Sequence, residues 1–63
     1  MTNYCLITGA ASGIGLEFAK IYLKNEFNLV LVDLNIERLE QIKKEFQKES
    51  NQEIILMQKD LLQ

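Results

Sequence analysis

Short apolar runs alternate with amphipathic stretches along this chain, and the alternation limits sharply what it can fold into. Residues 4–8 read Tyr-Cys-Leu-Ile-Thr and stop at Gly9. Residues 28–33 read Asn-Leu-Val-Leu-Val-Asp, and residues 53–60 contain Ile-Ile-Leu-Met before ending at Asp60. Continuous apolar runs of this length, closed by turn or polar residues, predict strands covered on both faces. Between the first two runs, from Ile14 to about Asn25, the spacing is helical. Ile14, Phe18, Ile21 and Tyr22 share one face, with Glu17, Lys20 and Lys24 elsewhere. Between the second and third runs, Ile36, Leu39, Ile42 and Phe46 form a helical stripe, and Asn35 is placed to cap it. Glu40 and Lys44 add an i,i+4 pair on its solvent side.

Strand, helix, strand, helix, strand predicts βαβ units and a parallel sheet: an α/β chain with the N-terminal βαβαβ half of a doubly wound Rossmann fold. Right-handed crossovers place both helices on one face and give the strand order 3-2-1. The other face of the sheet is then bare, and the first strand keeps an unpaired edge. Parallel sheets are normally covered on both sides, and a flat apolar edge invites pairing. A homo-oligomer, or association through the bare face, is therefore expected. At 63 residues the chain is one small domain at most, and at that size core burial barely offsets chain entropy.

Composition removes several classes of function. There is one Cys and no His. That excludes a disulfide framework, a His-based triad and a His-ligated zinc site, and one thiol builds no metal cluster. A net charge of −2 provides no basic footprint for nucleic acid or anionic lipid. No apolar run approaches the roughly 18 residues of a membrane span, and no secretory signal opens the chain. A cytoplasmic protein without nucleic-acid or membrane partners is the expectation. Cys5 reads as a small buried hydrophobe, and Phe18, Tyr22, Phe27 and Phe46 read as core or helix–sheet packing.

All three glycines fall between Gly9 and Gly15, where the first strand hands over to the first helix. Gly9 permits the sharp exit from the strand. Gly13 lets a phosphate approach the backbone with no Cβ in the way, and Gly15 lets the helix pack close to the sheet. The helix start offers free N–H groups and the positive dipole end, a natural seat for a pyrophosphate. A glycine-rich turn without a ligand is the plainer reading of such a window. Context favours the ligand: the window follows a strand, opens a helix, and precedes Asp33 by 18 positions counted from Gly15. A ribose-binding acid is expected about 20 residues on. A P-loop fails, because Leu16 and Glu17 follow the last glycine in place of Lys and Ser or Thr.

Asp33 would accept the adenosine ribose hydroxyls and repel a 2′-phosphate. Arg38, five positions on, is the nearest basic residue, and Ser12 stands where a cation could otherwise face that phosphate. Both features favour NAD over NADP. Asp60 ends the third strand on the same rim, where ligands of open α/β sheets bind, and is placed to meet the adenine end of the nucleotide.

Thr8-Gly9-Ala10-Ala11-Ser12-Gly13-Ile14-Gly15 resembles the T-G-x-x-x-G-x-G signature of the short-chain dehydrogenase/reductase family, in its classical branch. Val32-Asp33 resembles that family's second strand and its NAD-selecting acid. Asp60-Leu61 resembles its adenine-contacting pair. The resemblance implies that Gly9, Ser12, Gly13, Ile14 and Gly15 line the phosphates, that Asp33 holds the ribose, and that Asp60 and Leu61 sit against adenine. It also implies a parent protein that moves hydride between nicotinamide and an alcohol or carbonyl substrate. The family's catalytic Tyr-x-x-x-Lys pair is absent here: Tyr4 is followed four on by Thr8, and Tyr22 by Glu26. Residues 1–63 thus resemble a partial dinucleotide-binding domain, cut before the catalytic half at its C-terminal side. The alternatives are a non-catalytic nucleotide-binding or self-associating module, and a fragment or gene remnant without activity.

Overall fold

The computed structural model describes residues 3–59. Five elements run β1 (Tyr4–Thr8), α1 (Gly13–Lys24), β2 (Asn28–Asp33), α2 (Ile36–Gln47) and β3 (Ile54–Gln58). The sheet is parallel in the order β1-β2-β3, which is the expected 3-2-1 arrangement read from the other edge. Tyr4 pairs with Asn28 and Thr8 with Val32, while Leu29 pairs with Ile54 and Asp33 with Gln58. Asp60 and Leu61 lie outside the described residues.

The core forms on one side of the sheet. Ile7, Leu29, Leu31 and Ile54 point to it from the strands, and Ala19, Leu39, Ile42 and Phe46 meet them from the two helices. Leu29, Leu31 and Leu39 are fully enclosed. At about 25 cal/mol per Å² of apolar surface removed from water, each such side chain stabilises the fold by roughly 2 kcal/mol. The stripe on α2 docks as its spacing predicts, with Leu39, Ile42 and Phe46 buried. Asn35 caps this helix, its side-chain oxygen accepting the Arg38 N–H at 3.1 Å.

Helix α1 turns differently from the expectation. It buries Gly15, against the backbone of the loop that leaves β1, and Ala19, in the core, with Leu16, Tyr22 and Leu23 partly buried against that core. Ile14, Phe18 and Ile21 are instead 75%, 53% and 54% exposed. Small residues at these contacts let the helix lie close, which pushes the bulky stripe outward. Phe18 is therefore not core. Tyr22 and Phe27 do pack, ring edge to ring face, with centroids 5.2 Å apart. Glu40 and Lys44 form no ion pair within 4.0 Å; the ion pair among the described residues joins Glu17 and Lys20 at 3.6 Å.

The opposite face of the sheet carries Leu6, Val30 and Ile55 in one row across the strands and Thr8, Val32 and Met57 in the next. Leu6, Ile55 and Met57 are exposed there, and β1 pairs on one side only.

Candidate functional site

The site is built where the carboxyl ends of the strands meet the start of α1. Gly9 leaves β1 with φ +62°, in the left-handed region where a side chain is strained. The chain stays tied to the sheet for one more residue, because the Ala10 N–H donates to the Val32 carbonyl at 3.1 Å. It then closes on itself: the Ser12 N–H donates to the Gly9 carbonyl at 3.0 Å, and the Ser12 hydroxyl donates to the same oxygen at 2.6 Å.

Ser12 is the N-cap of α1. Its Oγ accepts the Gly15 N–H at 3.2 Å, and its carbonyl accepts the Leu16 N–H at 2.9 Å. The helix thus begins at Gly13, one residue ahead of the expected start. The N–H groups of Gly13 and Ile14 have no such partner among the described residues. These are the donors that a helix start leaves unsatisfied, and they carry the positive end of its dipole.

The glycines divide their work in a way that spacing alone did not reveal. A Cβ built on Gly13 meets nothing within 4 Å, so open space stands beside Gly13 where a side chain would be. A Cβ on Gly15 would run into the Gly9 carbonyl oxygen, 2.8 Å from the Gly9 carbonyl carbon and 3.0 Å from the Ala10 Cα. Gly15 therefore lets the loop lie against its own helix; the contact a side chain would break is with the loop backbone.

Asp33 closes the other side of the site, at the end of β2. Its Oδ2 accepts the Ala11 N–H at 3.0 Å, and its Oδ1 accepts the Asn35 N–H at 3.1 Å. The Asn35 N–H does most to hold the carboxyl below the ordinary carboxylate range. Partial burial opposes it, and the Ala11 and Leu34 N–H groups reinforce it. Asp33 is therefore a carboxylate at neutral pH. An ionised carboxyl offers about four acceptor positions, so two remain beyond the bonds to Ala11 and Asn35.

Gly9, Ser12, Gly13, Ile14, Gly15 and Asp33 are thus brought together at one rim. Two participants escaped sequence reasoning. Ala11 bonds through its main chain, which no residue type announces. Asn35 was expected only as a helix cap, although an acid two positions before it is the signal of an Asx turn. Among the described residues, no group of three or more His, Cys, Asp or Glu side chains gathers to hold a metal, and no helix is long and apolar enough to cross a membrane.

The arrangement fits a dinucleotide on three counts: free amide donors at a helix start, open space beside Gly13, and an ionised acceptor at the end of the neighbouring strand. Known proteins share the fold. The family model described as short chain dehydrogenase matches residues 3–63. The chain is 41% identical over 59 residues to a very-long-chain 3-oxoacyl-CoA reductase of Vanderwaltozyma polyspora, covering 94% of this chain and 17% of that protein. An alcohol dehydrogenase of the archaeon Thermococcus sibiricus, complexed with 5-hydroxy-NADP, superposes on all of this chain with a TM-score of 0.94 and 28% identity, over 27% of its own length. The bulky-bulky ketone specific alcohol dehydrogenase of Comamonas testosteroni superposes on 98% of this chain with a TM-score of 0.91 and 34% identity, over 26% of its own length. The chain spans about a sixth of the curated relatives it matches. With the family model matching residues 3–63 and the glycine loop and parallel sheet in place, the chain belongs to the short-chain dehydrogenase/reductase family.

Proposed function

We propose that residues 1–63 are the NAD-holding part of an oxidoreductase that transfers hydride between nicotinamide and an alcohol or carbonyl substrate. The observation that carries this reading is the shared rim: free Gly13 and Ile14 N–H groups, open space beside Gly13, and the Asp33 carboxylate tied to the same loop. The pyrophosphate would lie over Gly9, Ser12, Gly13, Ile14 and Gly15. The ribose would meet the remaining acceptor positions of Asp33, and adenine would sit toward Asp60 and Leu61. The nicotinamide supplies the hydride; this chain supplies binding and orientation. The Vanderwaltozyma polyspora protein is by name a 3-oxoacyl-CoA reductase, which is consistent with a carbonyl substrate. No residue of this chain is assigned to proton transfer, and we place that chemistry in a catalytic half outside residues 1–63. A cytoplasmic site of action accords with this reading.

NAD is the proposed cofactor in preference to NADP. The charge on Asp33 opposes a 2′-phosphate, and neither Arg38 nor Lys59 forms an ion pair with it. The Ser12 hydroxyl is engaged in capping α1. Titration of the chain with NAD and NADP tests the assignment. Tighter NAD binding is expected, with the gap narrowed in Asp33→Ala; tighter NADP binding overturns it.

A second reading, a non-catalytic nucleotide-binding module that self-associates, is favoured by the exposed Leu6, Ile55 and Met57. Light scattering across a concentration series separates the two. A 7.3 kDa particle at every concentration counts against self-association.

A further inference from the structure

One carboxylate joins three separate segments of this fold. The Oδ2 of Asp33 holds the Ala11 N–H of the glycine loop, 22 positions away. Its Oδ1 holds the Asn35 N–H, and the Asn35 side chain in turn caps α2 through Arg38. The backbone just before it does the same work: the Val32 carbonyl accepts from Ala10. The rungs between β1 and β2 thus run past the end of β1. At the last rung a side-chain oxygen replaces a main-chain one. That rung lies one residue before Ser12, whose hydroxyl and N–H set the start of α1.

We infer that Asp33 is a positioning residue for the phosphate loop, its carboxylate tying Ala11 to the end of β2 so that loop order and sugar recognition depend on the same group. The tie itself needs no ligand. Its consequence for nucleotide binding rests on the function proposed above. A ribose-only role for Asp33 predicts that a nucleotide lacking ribose hydroxyls is indifferent to this residue. The positioning role predicts that such a nucleotide also binds less well without it, because the Gly13 and Ile14 donors are no longer held in place.

The charged side chains on the adjoining segments are Glu37 and Arg38 on α2 and Lys59 after β3, and neither cation pairs with Asp33. A titration seen at Ala11 is therefore to be matched against Asp33 itself. Two measurements on the chain decide the matter. In the first, amide and carboxyl resonances are followed by NMR from pH 7 to pH 2. The Ala11 amide proton is expected to shift with the midpoint of the Asp33 carboxyl carbon, and this shift disappears in Asp33→Asn. An Ala11 amide that ignores the ionisation of Asp33 overturns the inference.

The second measurement compares ADP with 2′,3′-dideoxy-ADP on the unaltered chain and on Asp33→Ala. Weakening of both ligands, with the dideoxy compound losing about three- to tenfold, supports the positioning role. Unchanged or tighter dideoxy-ADP binding in a folded Asp33→Ala overturns it. Should Asp33→Ala fail to fold, the titration of the unaltered chain decides alone. Should neither nucleotide bind the unaltered chain, the proposed function falls, and the Ala11 titration still decides whether the tie exists.

Discussion

Gly15 lies against Gly9 so closely that a Cβ on Gly15 would stand 2.8 Å from the Gly9 carbonyl carbon. Both atoms in that contact belong to constrained backbone, the first turn of α1 and the exit from β1, so neither can swing aside. Gly15→Ala is expected to destabilise the chain by roughly 1–3 kcal/mol, the usual range for overpacking. Urea denaturation measures it, and a loss below a few tenths of a kcal/mol would show that the loop can yield.

Gly13 makes the opposite case. Its missing Cβ faces open space, and alanine is the better helix former by up to about 1 kcal/mol. Gly13→Ala should therefore leave stability unchanged or slightly raised while weakening ADP binding, because the methyl group occupies the open space beside Gly13. Calorimetry of binding alongside denaturation separates the two effects. Equal ADP affinity in this variant would place the phosphates elsewhere.

Ser12 holds both ends of the loop, donating to the Gly9 carbonyl and accepting from the Gly15 N–H. Ser12→Ala removes the cap and should lower stability by about 1 kcal/mol. Ser12→Asp retains a cap acceptor and should recover much of that loss in urea denaturation, yet it sets a negative charge against an incoming phosphate. Recovery of stability without recovery of ADP binding is the expected outcome.

The Asp33 carboxyl is held below its ordinary range, chiefly by the Asn35 N–H. A group whose pKa is lower folded than unfolded adds stability above its unfolded value, near 4, and that stability is lost as the pH falls through the folded value. The difference in urea midpoint between the unaltered chain and Asp33→Asn should hold constant from pH 7 to about 5 and shrink below about 4. A difference that stays flat down to pH 2 would mean that the ionised carboxyl contributes nothing to the fold.

Leu31 and Leu6 occupy the two faces of the sheet, the first fully enclosed and the second 62% exposed. Leu31→Ala should cost about 2–5 kcal/mol, as buried leucines do. Leu6→Ala should cost well under half as much in dilute solution. Comparable losses at low concentration would mean that the second face is covered by another copy.

The order of elements and the buried stripe on α2 were legible because each rests on an unambiguous period, and the parallel strand order followed from right-handed crossovers. Ile36, Leu39, Ile42 and Phe46 have only polar residues around the rest of their helix, so one rotation alone buries the stripe. Helix α1 offered no such guide. Ile14, Leu16, Phe18, Ala19, Ile21, Tyr22 and Leu23 are apolar on nearly every side, and periodicity cannot choose between faces of such a helix. What decides is steric: Gly15 takes the loop backbone and Ala19 the core, and the bulkier Ile14, Phe18 and Ile21 turn away. The site divided along the same line. Gly9, Gly13, Gly15 and Asp33 stood out as residue types at a spacing, and Ser12 and Ile14 only through the resemblance to the family signature. The bond from Ala11 to Asp33 and the fit of Gly15 on Gly9 involve main-chain atoms, which every residue has and none advertises.

The register of the sheet has a kinetic consequence. Tyr4 lies opposite Asn28, and Leu29 opposite Ile54, hops of 24 and 25 positions. No pairing waits for a distant stretch of polypeptide, so the closure entropy of each step stays small. During synthesis each strand meets its partner about two dozen residues back, and the bond that ties Ala11 to β2 becomes available once Asp33 has left the ribosome.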